Sequence, residues 1–282
     1  MTETEEGIGL VGAGRLGSAL GRRLRSGRYP VVAVASRSRV AASTLAAELG
    51  CPSFESALEV VSHSSITILT VPDRSILEVA SAVGELGPGV LAGRVVLHCA
   101  GVLGIEVLSR CTERGADVGV LHPLAPVPDG NPASLDGSWA TVEASPGGLG
   151  PILTLCEELG ITPLPWNGWN RGLYHAAAVL AGVMPVALEG LGEEVALAAG
   201  LPMESGPALR QLLVLAAANT KRLGASGGLT GPATRHDSET SLRHLQSLAG
   251  VDRRLAEVYR LLLELMSEKQ GQSARGGGQL DA

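Results

Sequence analysis

Aromatic side chains are scarce in this chain of 282 residues: they amount to 2% and consist of three Trp, three Tyr and one Phe. Hydrophobic residues nevertheless make up 45% of the sequence, so the core must be built from Leu, Val, Ile and Ala. Such a composition favours buried parallel strands and helices that pack through small side chains. Because the chain exceeds the usual single-domain size of about 100–200 residues, we expect two domains.

Cysteines and basic residues are also few, and their shortage excludes two kinds of protein. The four cysteines are scattered without a CxxC pair, which argues against a disulfide framework and against a metal site. The formal net charge is −6, the isoelectric point is near 5.6, and the sequence carries no basic stripe. Since the attraction to phosphates that nucleic-acid binding requires is missing, we expect no nucleic-acid partner.

We also expect neither a secretory signal nor a membrane-spanning segment. The N-terminal stretch MTETEE is acidic where a signal peptide carries positive charge. The longest uncharged stretch, 172–188, is interrupted by His175 and Pro185. We therefore expect a soluble, cytoplasmic protein with no membrane partner.

The first chemical motif is a glycine-rich turn within GIGLVGAGRLGSALGRRL. A short apolar run precedes Gly12-x-Gly14-x-x-Gly17, and the apolar positions 16, 20 and 24 share one helix face after it. Strand, turn and helix thus follow in the order that lets backbone N–H groups and a helix N-terminus bind a pyrophosphate. Gly12 would make the tight turn, Gly14 would admit the phosphates and Gly17 would allow close helix packing. The alternative is an ordinary turn between a strand and a helix.

A second strand pattern, VVAVAS at 31–36, ends where a dinucleotide site reads the adenosine ribose. The residue at that point is Arg37, between Ser36 and Ser38. An NAD site favours a carboxylate there, whereas a guanidinium flanked by hydroxyls suits a 2′-phosphate. We therefore predict a preference for NADP, with a solvated Ser/Arg loop as the alternative.

Strand and helix patterns continue to alternate up to about residue 168, which predicts a doubly wound sheet. Two strands end at Val71-Pro72-Asp73 and at Cys99-Ala100-Gly101, where an open parallel sheet presents its ligand crevice. His122 ends a further strand, and Pro123 keeps it extended. His122 is a catalytic candidate, and a hydrogen-bonded structural histidine is the alternative.

From about residue 169 onward the strand patterns disappear and helical patterns replace them. The first of these predicts a long helix, kinked near Pro185, with core positions that include Leu173 and Leu180. His175 is offset from this stripe and lies on a face of small residues, which could bind a substrate or another subunit. A satisfied core or interface histidine is the alternative.

These patterns predict an α/β protein in which a Rossmann-type doubly wound sheet precedes an all-α domain. The expected bounds are 1–168 for an NADP-binding domain, 169–270 for a helical substrate and dimerisation domain, and 271–282 for a disordered tail. The predicted cofactor-binding residues are Gly12, Gly14, Arg15, Leu16, Gly17, Ser36, Arg37, Ser38, Val71, Pro72, Asp73, Ala100 and Gly101.

The order of motifs resembles a bacterial family that joins an NADP-type Rossmann domain to a C-terminal helical domain of unknown function. The motifs are GAGRLG, ASRS, VPD, LHCAG, LHPL, YHAAA and LTGPATRHD, and they span roughly residues 8–265. That family is related to phosphogluconate dehydrogenase, pyrroline carboxylate reductase and ketopantoate reductase. The resemblance implies a nicotinamide cofactor in a crevice between the domains and a homodimer formed through the helical domain. It implies no settled substrate, and the deazaflavin that some relatives use stays open as an alternative cofactor.

The resemblance also implies site residues, which match positions that the family pattern retains: His122, Tyr174, His175, Asn219, Thr230, Gly231, Pro232, Arg235 and Asp237. If hydride transfer occurs, the proton donor is His175 or His122, because an imidazole pKa near 6.5 suits exchange at neutral pH. Tyr174 and Asn219 are substrate-binding candidates. Arg235 suits a substrate carboxylate, and Asp237 either fixes that guanidinium or caps the helix at 238.

Two departures from the family bear on turnover. Gly182-Val183 stand where the family often has Ser-Asn, and both lysines, Lys221 and Lys269, lie outside the first helix of the second domain. A mechanism driven by a lysine on that helix is therefore disfavoured. We predict an NADP(H)-dependent oxidoreductase acting on a small carbonyl or imine acid. The alternative is a nucleotide-binding sensor or regulatory protein that has lost turnover.

Overall fold

The computed structural model describes residues 7–87, 89–232, 235 and 237–276. The chain divides into two compact units, Met1–Gly182 and Val183–Ala282. The strand pattern places the domain boundary at 168/169 instead. The difference is one helix, Arg171–Gly182, which belongs to the first unit because its side chains bond to the sheet.

The first unit alternates strands and helices from its beginning. Its elements are β1 (Ile8–Val11), α1 (Arg15–Leu24), β2 (Val31–Ala35), α2 (Arg39–Leu49), β3 (Ser53–Phe54), α3 (Ala57–Ser62), β4 (Ile66–Leu69), α4 (Asp73–Gly84), β5 (Val95–His98), α5 (Ser109–Glu113), β6 (Asp117–Pro123), β7 (Trp139–Ala144), α6 (Leu149–Leu159), β8 (Thr162–Pro165) and α7 (Arg171–Gly182). Two 3₁₀ turns, Ile105–Leu108 and Pro132–Leu135, complete it.

The eight strands form one sheet in the order β3-β2-β1-β4-β5-β6-β7-β8. The strands from β3 to β6 are parallel, β7 runs antiparallel to β6, and β8 runs parallel to β7. The predicted doubly wound α/β fold is thus confirmed. The antiparallel β7 adds a feature that bears on the site, since it places Thr141 directly opposite His122.

Two hydrophobic clusters cover the two faces of this sheet. Alternate residues of β1 illustrate the division, because Leu10 joins one cluster and Val11 joins the other. Helices α1, α2 and α6 contribute to the first cluster, whereas α3, α4 and α5 contribute to the second. The side chains of successive strand residues point to opposite faces, so near-continuous apolar strands are what a sheet with helices on both sides requires.

The predicted core stripe of α7 is wrong, because its leucines are exposed. Leu173 is 71% exposed and Leu180 is 66% exposed, although both were expected in the core. The sheltered face is the neighbouring one, where Tyr174 and His175 are half-buried. The helix therefore packs through its polar and small residues, and the apolar stripe that the spacing picks out lies on the outside of the chain.

The second unit is helical, as predicted, with α8 (Met184–Ala198), α9 (Gly206–Gly228), α10 (Ser238–Val251) and α11 (Arg253–Gly276). The predicted kink near Pro185 is a break between α7 and α8, and α9 is interrupted at Gly224, whose φ is +73°. Because α11 extends to Gly276, the first part of the predicted disordered tail is helical. The remainder of that tail, 277–282, lies outside the described residues.

By length and composition alone, the stretch Arg171–Ala198 is apolar enough to cross a membrane, with a mean hydropathy of 1.4. Two observations favour a different reading. The stretch is divided at Val183 into two helices, and its first half forms a hydrogen bond and an ion pair with residues of the sheet.

The close packing of the turn after β1 makes a stability prediction. A Cβ on Gly17 would lie 2.0 Å from the carbonyl oxygen of Gly12 and 2.6 Å from Thr70 Oγ1. Gly17→Ala should therefore lower the free energy of unfolding by at least about 2 kcal/mol, since a packed backbone must move. Gly14→Ala is the matched control, because its Cβ would meet nothing within 4 Å, and it should change stability by less than about 1 kcal/mol. Equal losses in a urea titration would contradict this account.

Candidate functional site

The glycine-rich turn has the shape that a dinucleotide requires. Gly12 adopts a φ of +118°, its N–H donates to Ala35 O at 2.7 Å, and its carbonyl accepts from Thr70 Oγ1 at 2.7 Å. These bonds fix the turn between β1 and α1. Open space surrounds the Cβ position of Gly14, which is the N-cap of α1. A phosphate can therefore approach the backbone and the helix N-terminus.

The predicted Ser/Arg group after β2 contains residues with structural contacts and one arginine, Arg37, without an ion pair to a described residue. Ser38 caps α2, since its hydroxyl accepts from Ala41 N at 3.3 Å, and Arg39 pairs with Glu55 at 2.9 Å. Arg37 is exposed, and it makes no ion pair with any residue in the described part of the chain. The guanidinium of Arg37 is therefore available to a ligand, whereas that of Arg39 lies in a solvent-exposed ion pair with Glu55.

The other predicted cofactor residues lie at the same edge of the sheet. Val71 and Pro72 follow β4, and Asp73 begins α4, where a carboxylate is favoured by the helix dipole. Leu16 packs against the first cluster, and the Arg15 guanidinium donates to Pro128 O at 3.4 Å. The carboxyl ends of parallel strands are where an open sheet presents a ligand site. The predicted cofactor-binding residues therefore lie where a ligand would bind.

Two imidazoles meet at Gly101, just beyond β5. A Cβ on Gly101 would lie 2.7 Å from His122 Cε1, 2.7 Å from His175 Cδ2 and 2.8 Å from His122 Nε2. The two rings are 5.7 Å apart between centroids. The structure therefore brings together three residues predicted from different motifs, and glycine at position 101 is what leaves room for both rings.

The hydroxyl of Tyr174 joins α7 to two strands. It lies 2.6 Å from His122 Nδ1 and 3.0 Å from Thr141 Oγ1. Tyr174 was predicted to bind substrate, and the structure gives its hydroxyl two protein partners. Thr141 was not predicted at all, because only the antiparallel pairing of β7 with β6 places it opposite His122.

A second unpredicted group lies beside these residues. Arg171 pairs with Glu143, its guanidinium carbon stacks 4.0 Å from the centroid of the Trp166 ring, and Glu143 Oε2 also accepts from Ile105 N at 3.3 Å. Trp166 in turn contacts Trp169 and Tyr174 edge-to-face. A signal was present in the sequence, since three of the seven aromatic residues fall within 166–174. Because Arg171 is engaged by Glu143, it is not a free anion-binding group.

Burial and neighbouring cations keep His122 and His98 uncharged at neutral pH. Burial, followed by the charges of His175, Arg171 and His98, lowers the pKa of His122 to about 4. Burial likewise lowers the pKa of His98, whose Nδ1 accepts from Ala100 N and whose Nε2 lies 3.1 Å from Gly104 O. Burial also raises the pKa of the Cys99 thiol to about 12, so Cys99 is not a nucleophile at neutral pH.

The remaining predicted residues belong to the second unit. Asn219 lies on α9 and its Oδ1 accepts from Arg222 at 3.2 Å. Arg235 is exposed. Asp237 caps α10, since its carboxylate accepts from both the N–H and the hydroxyl of Thr240, and these bonds lower its pKa. Of the two roles predicted for Asp237, the structure shows the capping role.

No group of three or more His, Cys, Asp or Glu side chains suited to a metal ion occurs within the described ranges. The sheet order and the site geometry together define the first unit as a Rossmann-like α/β unit. It has a glycine-rich turn and a pair of imidazoles at the carboxyl edge of its sheet.

Comparison with known proteins agrees with this class. Residues 2–123 match the Rossmann-like domain family, and residues 138–265 match a domain of unknown function, DUF2520. The chain thus combines a region that matches the Rossmann-like domain with a region that matches the DUF2520 domain, in the order that the motifs imply. None of the curated proteins matches it in sequence.

Solved structures share the fold over nearly the whole chain. A Bacteroides fragilis protein, named provisionally as an NADP oxidoreductase, has a TM-score of 0.79 at 22% identity, covering 94% of this chain and 99% of that one. The reductive aminase from Aspergillus terreus, solved with NADPH and ethyl-5-oxohexanoate, has a TM-score of 0.66 at 16% identity, covering 98% and 96%. A pyrroline-5-carboxylate reductase from Coxiella burnetii has a TM-score of 0.61 at 13% identity, covering 93% and 98%.

The lowered pKa of His122 makes a prediction about acid stability. The unfolded imidazole titrates near 6.5 and the folded one near 4, so the unfolded state binds more protons between these values. The stabilisation is complete above about pH 6.5 and is lost as the pH falls towards 4. Between pH 7.5 and 5 the wild-type protein should lose about 2 kcal/mol more free energy of unfolding than His122→Gln.

Chemical unfolding at several pH values measures this difference. His98 is present in both proteins, so its own contribution cancels in the comparison. Parallel losses in the two proteins would show that His122 is not held uncharged by its surroundings.

Proposed function

We propose that this protein is an NADPH-dependent oxidoreductase that reduces a small carbonyl or imine acid. The observation that carries the proposal is the arrangement at one edge of the sheet. A turn shaped for a pyrophosphate follows β1, and two imidazoles meet at Gly101 beyond β5. The reductive aminase and the reductase among the structural neighbours support this kind of activity by their names.

The residues of the first unit suit a nicotinamide dinucleotide. The backbone from Gly12 to Gly17 would hold the pyrophosphate, and Arg37 would bind the 2′-phosphate through its planar fork. When bound, the reduced nicotinamide supplies a hydride. The chain's own part is to hold the dinucleotide, to orient the reacting group and to supply a proton at an imidazole of His175 or His122.

The substrate carboxylate needs a cation other than Arg171, which is paired with Glu143. We retain Arg235 for this role, since its side chain is exposed, and Asn219 as a further polar contact. Tyr174 acts by positioning His122 and not by binding substrate, because its hydroxyl is already bonded to His122 and Thr141.

Titration with NADPH and NADH tests the cofactor. Arg37→Ala should weaken NADPH binding about 10- to 100-fold and leave NADH binding unchanged, because a charge-assisted bidentate contact is lost. Arg39→Ala is the matched control: it removes a guanidinium two positions away that pairs with Glu55, and it should alter neither affinity. Gly14→Val should abolish binding of both nucleotides, since the added side chain occupies the open space at the turn.

If neither nucleotide binds to the wild-type protein, the proposal fails. Equal affinities for NADPH and NADH, unaffected by Arg37→Ala, would overturn the NADP preference.

A nucleotide-binding sensor without turnover is the second candidate. The break between α7 and α8 favours it, because Gly182 and Val183 supply no side-chain amide to orient a substrate carbonyl. Tight NADPH binding without oxidation across a panel of keto acids and imines would favour the sensor. Steady oxidation with any of them would exclude it.

We also propose a cytoplasmic homodimer held by the helical unit. The four cysteines are free, as is usual in a reducing compartment. The two hydrophobic clusters draw no residue from Val183–Ala282, and Ala196 and Gly206 are the buried residues there among those with a described side-chain environment. A helical unit with so little buried surface gains stability by covering its apolar side chains with a second copy.

Light scattering tests the dimer. The double variant Leu212→Glu and Leu215→Glu should shift the protein towards monomer, because both side chains lie exposed on α9. Leu77→Glu is the matched control, since Leu77 is similarly exposed on α4 of the first unit. A monomeric wild-type protein at micromolar concentration would contradict the proposal.

A further inference from the structure

The hydroxyl of Tyr174 can donate its single proton either to His122 Nδ1 or to Thr141 Oγ1. Which of the two accepts it decides which nitrogen of His122 carries a proton. We propose that Thr141 and Tyr174 hold His122 as the neutral Nε2–H tautomer, so that His122 donates a hydrogen bond to the substrate's carbonyl oxygen or imine nitrogen while His175 supplies the proton. This assignment of separate roles rests on the proposed oxidoreductase function.

Hydrogen-bond accounting distinguishes the two arrangements. In the first, Thr141 donates to the Tyr174 oxygen and Tyr174 donates to His122 Nδ1, so both hydroxyls and Nδ1 are satisfied. In the second, His122 Nδ1–H donates to Tyr174 and Tyr174 donates to Thr141. The Thr141 hydroxyl proton then lacks an acceptor in the described part of the chain, although the residue is 1% exposed. An unsatisfied buried hydroxyl costs about 1–3 kcal/mol, so the first arrangement is favoured.

The distances agree with that arrangement. The Tyr174 oxygen is 2.6 Å from His122 Nδ1, whereas bonds donated by N–H groups cluster near about 2.9–3.0 Å. That distance is compatible with a bond that the hydroxyl donates. With His122 Nδ1 as the acceptor, the proton of the neutral imidazole lies on Nε2.

The Nε2–H of this tautomer lies close to the backbone of Gly101. The Nε2 atom lies 2.8 Å from the position of an absent Cβ on Gly101, and it makes no hydrogen bond to a described residue. A donor with no protein acceptor at the end of a strand is suited to a ligand oxygen or nitrogen. Any side chain at position 101 would displace the imidazole that carries this donor.

The surrounding charges keep the ring neutral. The polar groups that surround His122 are His98 at the end of β5, Thr141 on β7, and Arg171, Tyr174 and His175 on α7. Glu143 is paired with Arg171 and does not compensate a charge on His122. Burial and the nearby cations lower the pKa of His122, so at neutral pH it is a hydrogen-bond donor and not an acid.

With these roles for His122 and His175, the atoms and charges of a reduction balance. A hydride adds to the carbonyl or imine carbon, the π electron pair moves to the oxygen or nitrogen, and a proton completes the alcohol or amine. Loss of the Nε2 proton would leave an imidazolate, since Nδ1 is held by the Tyr174 hydroxyl. His175, the second imidazole at Gly101, is therefore the group from which the proton leaves: its imidazolium form gives up one proton and becomes a neutral imidazole. A neutral imidazole can polarise a carbonyl without giving up its proton.

Long-range ¹H–¹⁵N spectra of histidine-labelled protein test the tautomer without any cofactor. We expect His122 to show an unprotonated Nδ1 and a protonated Nε2 from pH 5.5 to 8.5. Tyr174→Phe and Thr141→Val should shift His122 towards a tautomer mixture. Tyr29→Phe is the matched control, because Tyr29 packs elsewhere against the first cluster, and it should leave the His122 signals unchanged.

A protonated Nδ1 in the wild-type protein would overturn the inference, as would unchanged signals in Tyr174→Phe. With a substrate in hand, Tyr174→Phe should lower kcat at least about tenfold with NADPH affinity unchanged. Loss of NADPH affinity in that variant would instead mark Tyr174 as merely structural. Nucleotide titration of the wild-type protein judges the proposed function separately.

Discussion

A single phenolic hydroxyl links the parts of the candidate site. Tyr174 bonds to His122 on β6 and to Thr141 on β7, and through these bonds α7 lies against the sheet edge with His175 on the same face. Helix α7 packs through this polar face while its apolar stripe is exposed, so its position depends on these contacts. The meeting of the two imidazoles at Gly101 follows from them.

The local features of the nucleotide turn could be predicted from sequence because each rests on nearby residues. Gly12 needs a positive φ, Gly17 lies where a Cβ would meet backbone, and Gly14 needs open space. These requirements are met within a few residues of chain. The doubly wound fold was predictable for a similar reason, since strands covered on both faces are almost continuously apolar.

The direction of β7 and the buried face of α7 could not be predicted from sequence in the same way. The antiparallel direction of β7 depends on a long connection, and only that direction places Thr141 opposite His122. The spacing of α7 predicted its apolar stripe as core, although Tyr174 and His175 define the sheltered face. A hydrophobic stripe shows that a face will be covered, and it does not show by what. The pairing of Arg171 with Glu143 likewise joins residues far apart in the chain.

Hydrogen–deuterium exchange with and without NADPH tests the central claim most directly, because it reads each strand end separately. The account predicts slower exchange on binding both at the turn from Gly12 to Gly17 and at Ala100–Gly101, with the amides of α6 unchanged as an internal reference. Protection at the turn alone would place the reacting end of the cofactor away from the imidazoles, and protection at neither segment would contradict the account.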